Sequence, residues 1–270
     1  MRKAGIGVHI VAILIMLVFL VPVFYIVFSA FKPSSELTSS AQTFFPRNWT
    51  FNNFTRAFER GNFALYIWNT LVVAVASTIL AVLINTMSGY ALAKFRFRGD
   101  KIILILILST IMLPLEVIMV PIFSVLRFFG LFNSLWALII PPAATPAGIF
   151  LMRQFLLKIP DEVLESARID GASELRIFFT IVIPNAKPAI ATIAIFSFMW
   201  RWNDYVWPLI AIASPDKYTL QLAIANFAGE YNIDWNSTLA MSVISMIPML
   251  IVFLIFQRQF VQGTVETGMK

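Results

Sequence analysis

Cysteine is absent from the 270 residues and histidine occurs once, as His9. Disulfides, thiolate metal sites and a cysteine nucleophile are therefore excluded. A lone imidazole at the edge of an apolar run is a poor metal centre or proton relay, and His9 reads as an interfacial polar residue. Charge is scarce as well. Charged residues make up 13% of the chain against 59% hydrophobic ones, and the mean hydropathy is +0.83. A soluble domain of this length needs far more charge to cover its surface. Neither a G-x-x-x-x-G-K-[ST] phosphate loop nor an H-E-x-x-H pair occurs, so the chain does not bind ATP in that manner by itself and shows no catalytic or metal-binding motif.

What is present is long apolar runs. A bilayer core of about 30 Å takes about 20 apolar residues of helix. Six stretches qualify: Val8–Ala30, Ile67–Leu92, Ile102–Phe123, Leu135–Leu151, Pro188–Ile212 and Leu239–Phe256. Pro114, Pro121, Pro141 and Pro142 predict kinked or broken helices in the third and fourth. The first run follows Arg2 and Lys3 like a signal peptide, but it is too long for one and lacks an A-x-A site, so it reads as an uncleaved span.

The net charge of +6 and pI of about 9.7 come from basic residues scattered between the runs, which argues against nucleic acid and for a cationic cytoplasmic face beside anionic lipid. With the N-terminus inside, thirteen Lys and Arg fall on the cytoplasmic side and six on the other, with Arg201 ambiguous; both termini are expected in the cytoplasm. The two long outer loops, Phe31–Tyr66 and Ala213–Thr238, are rich in aromatics such as Phe44, Phe45, Trp49, Phe51, Tyr218, Tyr231 and Trp235. They suit an interfacial belt or a docking surface for an external partner equally well.

Between spans four and five, Arg153–Lys187 is long and charged for this chain. Pro160 suits a helix start, and Asp161 and Glu162 favour its positive end. Gly171 supplies the left-handed residue that ends that helix. Ser173 caps a second one, Glu174–Ile183, stopped by Pro184. A helix–turn–helix along the cytoplasmic face is the result, with Glu165 beside the small residues Ser166, Ala167, Gly171 and Ala172. It either lies on lipid headgroups or receives another protein surface closely.

The order Glu165-Ser166-Ala167, Asp170-Gly171-Ala172 and Ile183-Pro184 resembles the EAA loop of binding-protein-dependent ABC importer permeases, whose pattern is E-A-A, three residues, G, nine residues, I-x-L-P. Ser166 replaces the first Ala, and Val182-Ile183-Pro184 varies the end. Further parts are similar to the same family: Asn69-Thr70-Leu71 and Gly89-Tyr90-Ala91-Leu92-Ala93 in span two; Phe97, Gly99 and Lys101 after it; Pro114-Leu115-Glu116 and Pro121 in span three; and Trp202-Asn203-Asp204-Tyr205 with Pro208-Leu209 in span five. The tail, Phe256-Gln257-Arg258-Gln259-Phe260-Val261 with Gly263 and Gly268, resembles the carbohydrate branch, the group of the inner maltose and glycerol-phosphate permease subunits.

The resemblance implies an all-α membrane protein of six transmembrane helices, with the type I ABC importer permease fold and a cytoplasmic coupling loop. It implies one permease domain over residues 1–270, with a core at about 67–258 and the coupling loop at 153–187. The implied partners are a second similar permease, two ATPase subunits that carry ATP and Mg, and an extracytoplasmic solute-binding protein. Glu165, Ser166, Ala167, Asp170, Gly171, Ala172 and Pro184 then face an ATPase subunit. Polar residues within the spans either hold the bundle together or line a solute path. Glu116, Trp202, Asn203, Asp204 and Tyr205 are the candidates for such a path, though Arg201 and Asp204 are one turn apart and suited to pair. The alternative function, an ion-coupled secondary transporter, would show inverted repeats and has no use for the helix–turn–helix.

Overall fold

The computed structural model describes residues 6–40, 43–229 and 234–267. Its main helices are α1 (Ile6–Ala30), α2 (Asn52–Arg60), α3 (Phe63–Lys94), α4 (Asp100–Met112), α5 (Leu115–Phe128), α6 (Trp136–Ala143), α7 (Pro146–Leu156), α8 (Asp161–Ile169), α9 (Glu174–Asn185), α10 (Lys187–Trp202), α11 (Val206–Ala211), α12 (Leu220–Gly229) and α13 (Trp235–Thr267). No strand occurs among the described residues. Among the described residues, three helices are long and apolar enough to cross a bilayer alone: Gly7–Ala30, Phe63–Lys94 and Trp235–Gln257. Three bent pairs also pass when each is taken together, giving up to six spans.

The expected breaks are real and larger than kinks. Between α4 and α5 the axis turns by 112° at Leu113 and Pro114, and between α6 and α7 by 42°. Two expectations need correction. The fifth stretch, Pro188–Ile212, is not one helix: α10 ends at Trp202, and the chain resumes as α11 only at Val206. Its polar side chains compete with the helix ladder. Asn203 Nδ2 donates to the Met199 carbonyl at 2.9 Å, and Asp204 Oδ1 accepts from Trp207 N at 3.3 Å. Nor does Pro184 stop the second hairpin helix. A π turn over Phe178–Val182, closed by Ile183 N donating to the Phe178 carbonyl, carries α9 on to Asn185. Widening the ladder there accommodates the proline that has no N–H to give. An 81° bend then leads into α10.

The chain forms two compact units, residues 1–65 with 223–250, and 66–222 with 251–270. In the first, α1 is apolar all round and exposed along most of its length, as suits a helix whose solvent is lipid. The carbonyls at its C-terminal end need outside donors. Asn53 Nδ2 donates to Ala30 O at 2.7 Å and Lys32 O at 2.8 Å, and Asn236 Nδ2 donates to Lys32 O at 3.0 Å. Lys32 itself is buried, with its ammonium over the Tyr25 ring and donating to the Thr43 carbonyl.

In the second unit two apolar clusters form. One gathers Val73, Met119, Leu138, Trp207 and Leu222; the other gathers Tyr90, Met152, Leu164, Ile177, Phe178 and Val182. Within the unit α3 is tied to other segments along its length. At one end Asn69 Nδ2 donates to the carbonyls of Asp216 (3.0 Å) and Tyr218 (3.1 Å), and Thr70 Oγ1 accepts from Leu220 N at 2.7 Å. Midway, Asn85 Oδ1 accepts from Thr145 N at 3.0 Å, holding the break before α7. Further along, Gly89 lets α7 approach closely: a Cβ there would lie 2.6 Å from Met152 Cβ and 2.9 Å from Arg153 N.

Such contact cannot absorb a methyl group without moving backbone. Gly89→Ala is therefore expected to destabilise the purified protein by about 1–3 kcal/mol, read as a lower thermal-unfolding midpoint in detergent. Gly7→Ala, with nothing within 4 Å, leaves the midpoint unchanged. Equal midpoints for the two variants would refute the packing account.

Candidate functional site

The hairpin of α8 and α9 is built by local chemistry. Pro160 stands just before α8 in extended conformation, with Asp161 and Glu162 in the first turn. Gly171 has φ of +79°, and two bonds close the end of α8: Ala172 N to Ala167 O and Gly171 N to Arg168 O, both 3.0 Å. This is the Schellman pattern, in which the left-handed residue lets late carbonyls find donors. Ser173 Oγ accepts from Arg176 N at 3.3 Å and starts α9.

The two faces of α8 differ. Leu164 is buried at 1% exposure in the second apolar cluster. One turn on, Arg168 points to Glu174, its Nε donating to Oε1 at 2.6 Å. On the other face Glu165, Ser166, Ile169 and Asp170 are exposed, and Ile169 is 85% accessible. Glu165 makes no hydrogen bond or ion pair through its side chain among the described residues. On α9, Leu175 at 65% and Phe179 at 56% are likewise exposed. Ala167 and Ala172 are half-buried, and Pro184 is exposed.

A set of contacts that sequence reasoning did not assemble fastens this hairpin to the Lys94 end of α3. Lys94 Nζ, on a side chain only 4% exposed, donates to the Ile159 carbonyl at 2.5 Å and to Asp161 Oδ1 at 2.6 Å. Tyr90 Oη donates to Glu174 Oε2 at 3.0 Å, so one carboxylate joins α3, α8 and α9. Arg168 also lies over the Phe95 ring, 5.7 Å from its centre. The ammonium of Lys94 holds the Asp161 carboxyl below the usual carboxylate range. Hydrogen bonding from Arg168, seconded by Tyr90, does the same for Glu174. Tyr90 stands within the quoted Gly89–Ala93 motif, but no spacing signals its partner 84 residues away.

The solute-path candidates fall in two places. Glu116 is exposed in the first turn of α5, directly after the 112° break. Asn203 to Tyr205 form the break between α10, which ends at Trp202, and α11, and there Arg201 pairs with Asp204 at 2.9 Å. Trp202 is buried at 2% and stacks on Phe198, so its face is covered; Asn203 is exposed, and Tyr205 is 38% exposed. No hydrogen bond joins Glu116 to this segment among the described residues. Asn69 and Asn85, which also lie within the second apolar stretch, serve packing through the bonds given above. No group of three or more potential metal ligands occurs among the described residues.

Helices broken at prolines and polar residues, with a capped and partly exposed hairpin fastened to one long helix, define a polytopic membrane protein. The chain belongs to the family described as the binding-protein-dependent transport system inner membrane component, whose model matches residues 85–266. It is 34% identical to the arabinooligosaccharides transport system permease protein of Halalkalibacterium halodurans, over 92% of this chain and 90% of that one. The diacetylchitobiose uptake system permease protein of Streptomyces coelicolor is 34% identical over 96% and 87%, and the sn-glycerol-3-phosphate transport system permease protein of Pectobacterium atrosepticum 32% over 96% and 95%. A chain from a bacterial ABC transporter involved in the import of the acidic polysaccharide alginate superposes with a TM-score of 0.83 at 25% identity, covering 96% of this chain and 99% of that one. The fold is thus that of ABC importer permeases.

The anchoring has a defined pH dependence. A carboxyl held below its ordinary value in the folded protein stabilises it at pH above that value, and the contribution is lost as pH falls through the folded value. With ordinary values of 3.8 for Asp161 and 4.5 for Glu174, protection of hairpin amides from hydrogen exchange, corrected for the intrinsic rate, stays constant down to pH 4.5 and falls only below it. A fall centred near pH 6 (roughly where imidazole titrates) would contradict the assignment.

Proposed function

We propose that this chain is the permease subunit of an ATP-driven importer that moves a sugar or sugar-like solute into the cytoplasm by alternating access. The chain itself is non-catalytic, and ATP and Mg are bound by two partner ATPase subunits. A second homologous permease and an extracytoplasmic solute-binding protein complete the complex in a bacterial or archaeal cytoplasmic membrane. The whole chain acts as one permease domain.

The observation that carries this reading is the open face of the hairpin. An unpaired carboxylate at Glu165 stands between exposed Ile169 and small residues, on an element held rigidly from behind. Exposed apolar side chains beside an unsatisfied charge suit a protein contact. An arginine or backbone donor of an ATPase subunit would satisfy the acid, while Ser166, Ala167, Asp170, Gly171, Ala172 and Pro184 shape the rest of the surface. The solute class follows the relatives named for arabinooligosaccharides, diacetylchitobiose and glycerol-3-phosphate. One structural neighbour was solved with a pentasaccharide-bound periplasmic protein; at 13% identity it speaks for the fold alone. Glu116, Asn203, Asp204 and Tyr205, at two of the helix breaks, are our candidates for meeting the solute, and Trp202, the remaining candidate, is buried against Phe198.

Two measurements test this. In the cysteine-free chain, Ser40→Cys is expected to react with an impermeant thiol reagent in intact cells and Glu162→Cys is not. The reverse pattern would overturn the cytoplasmic placement of the hairpin and both termini. Glu165→Ala leaves a facing charge unpaired, and Gly171→Val strains a left-handed position. Each variant is expected to insert normally, yet to weaken copurification of the ATPase subunit by roughly tenfold or more and to lower uptake in proportion. Wild-type association and uptake in both would sink the coupling assignment.

A further inference from the structure

We infer that α3 is the rod of a two-ended linkage, with Tyr90 and Lys94 clasping the ATPase-side hairpin and Asn69 and Thr70 clasping the segment Asp216–Leu220 at its far end. The inference rests on the proposed docking of the hairpin and adds how a displacement there leaves it.

Both clasps are specific and directional. At the hairpin end, Glu174 accepts from Tyr90 on α3 and from Arg168 on α8, so neither hairpin helix can shift without stretching a bond to α3 or to its mate. Lys94 fixes the start of α8 through Asp161 and the connection before it through the Ile159 carbonyl. Behind these bonds Tyr90 packs among Leu164, Ile177 and Phe178. A hairpin held to α3 by an ion pair, a lysine–carbonyl bond, a phenol and an apolar cluster, and braced internally by Arg168 on Glu174, moves with α3 as one body.

The far clasp is made of a different chemistry. Asn69 donates to two backbone carbonyls of a loop, and Thr70 accepts from the N–H that opens α12. Thr70 and Lys94 stand 24 residues apart in one unbroken helix, about 36 Å at 1.5 Å per residue. Neighbouring spans are interrupted at Leu113–Pro114, Ala144–Thr145 and Asn203–Tyr205, and a broken helix yields at its break rather than pushing. Among the helices of this unit that contact the hairpin, α3 alone is continuous over such a length in the described residues. Asn85, holding the break before α7 through Thr145, gives the same rod a lateral output midway.

Tyr90, Lys94, Asn69 and Thr70 are thus positioning residues of transport. The test uses the complete importer in proteoliposomes, with its partner permease, ATPase subunits and solute-binding protein, and reads ATP hydrolysed per solute imported. Tyr90→Phe, Lys94→Met and Thr70→Val are each expected to leave ATPase copurification at the wild-type level while raising that ratio about threefold or more; Lys94→Arg retains it. Because clasps in series fail once, Tyr90→Phe with Thr70→Val should show the ratio of the worse single variant, whereas independent packing defects would multiply. A wild-type ratio in the single variants, or multiplication in the double, overturns the linkage. Loss of copurification in Tyr90→Phe overturns it also, since that residue would then serve docking. Intact docking in Glu165→Ala would instead remove the reading of the hairpin on which the linkage rests.

Discussion

The Glu174 carboxylate, shared by Tyr90 Oη and the Arg168 guanidinium, is the contact on which the hairpin's geometry depends. Without it, α8 would remain tied to α3 at its start through Lys94, but α9 would be joined to both only by a capped turn and apolar contacts. A carboxylate accepting from two helices at once defines the angle of α9 to them, because charge-assisted bonds are short and directional. Its stabilising value is modest on an exposed surface, so the specification of orientation matters more than the energy.

A second constraint governs the spans. Backbone groups inside lipid must be satisfied within the protein, so a helix can be broken only where side chains or other backbone supply partners. Asn85 supports the break before α7 and Asp204 the break before α11, each through a side-chain oxygen accepting a backbone N–H. The polar residues of these spans are thus first of all the material of the breaks. A break opens a helix, exposes its ends and places polar groups beside them.

The family match and the structural likeness to an alginate importer chain show that this arrangement of helices is a shared fold. The relatives carry solutes as different as arabinooligosaccharides and glycerol-3-phosphate in their names, while the chain lengths covered are nearly complete in both directions. Names so different on one scaffold are what sites grafted onto a shared fold would produce.

Much of this was legible in the sequence, because it depends on neighbours within five residues. The apolar runs located α1, α3 and α13; Gly171 ended α8 with a positive φ; and Ser173 capped α9, since caps and Schellman turns are closed by adjacent backbone. The second hairpin helix and the fifth stretch were misjudged for a related reason: Pro184 was absorbed by a π turn, and Asn203 and Asp204 outweighed the apolarity around them. Only the tertiary structure decided that Tyr90 meets Glu174, that Lys94 meets Asp161, and that Trp202 turns its ring onto Phe198. The first two pairs are 84 and 67 residues apart, and either acid had other bases within reach by composition. Which one it meets follows from the register in which helices pack, set here by the close approach at Gly89, and register is a property of the assembled bundle rather than of any segment.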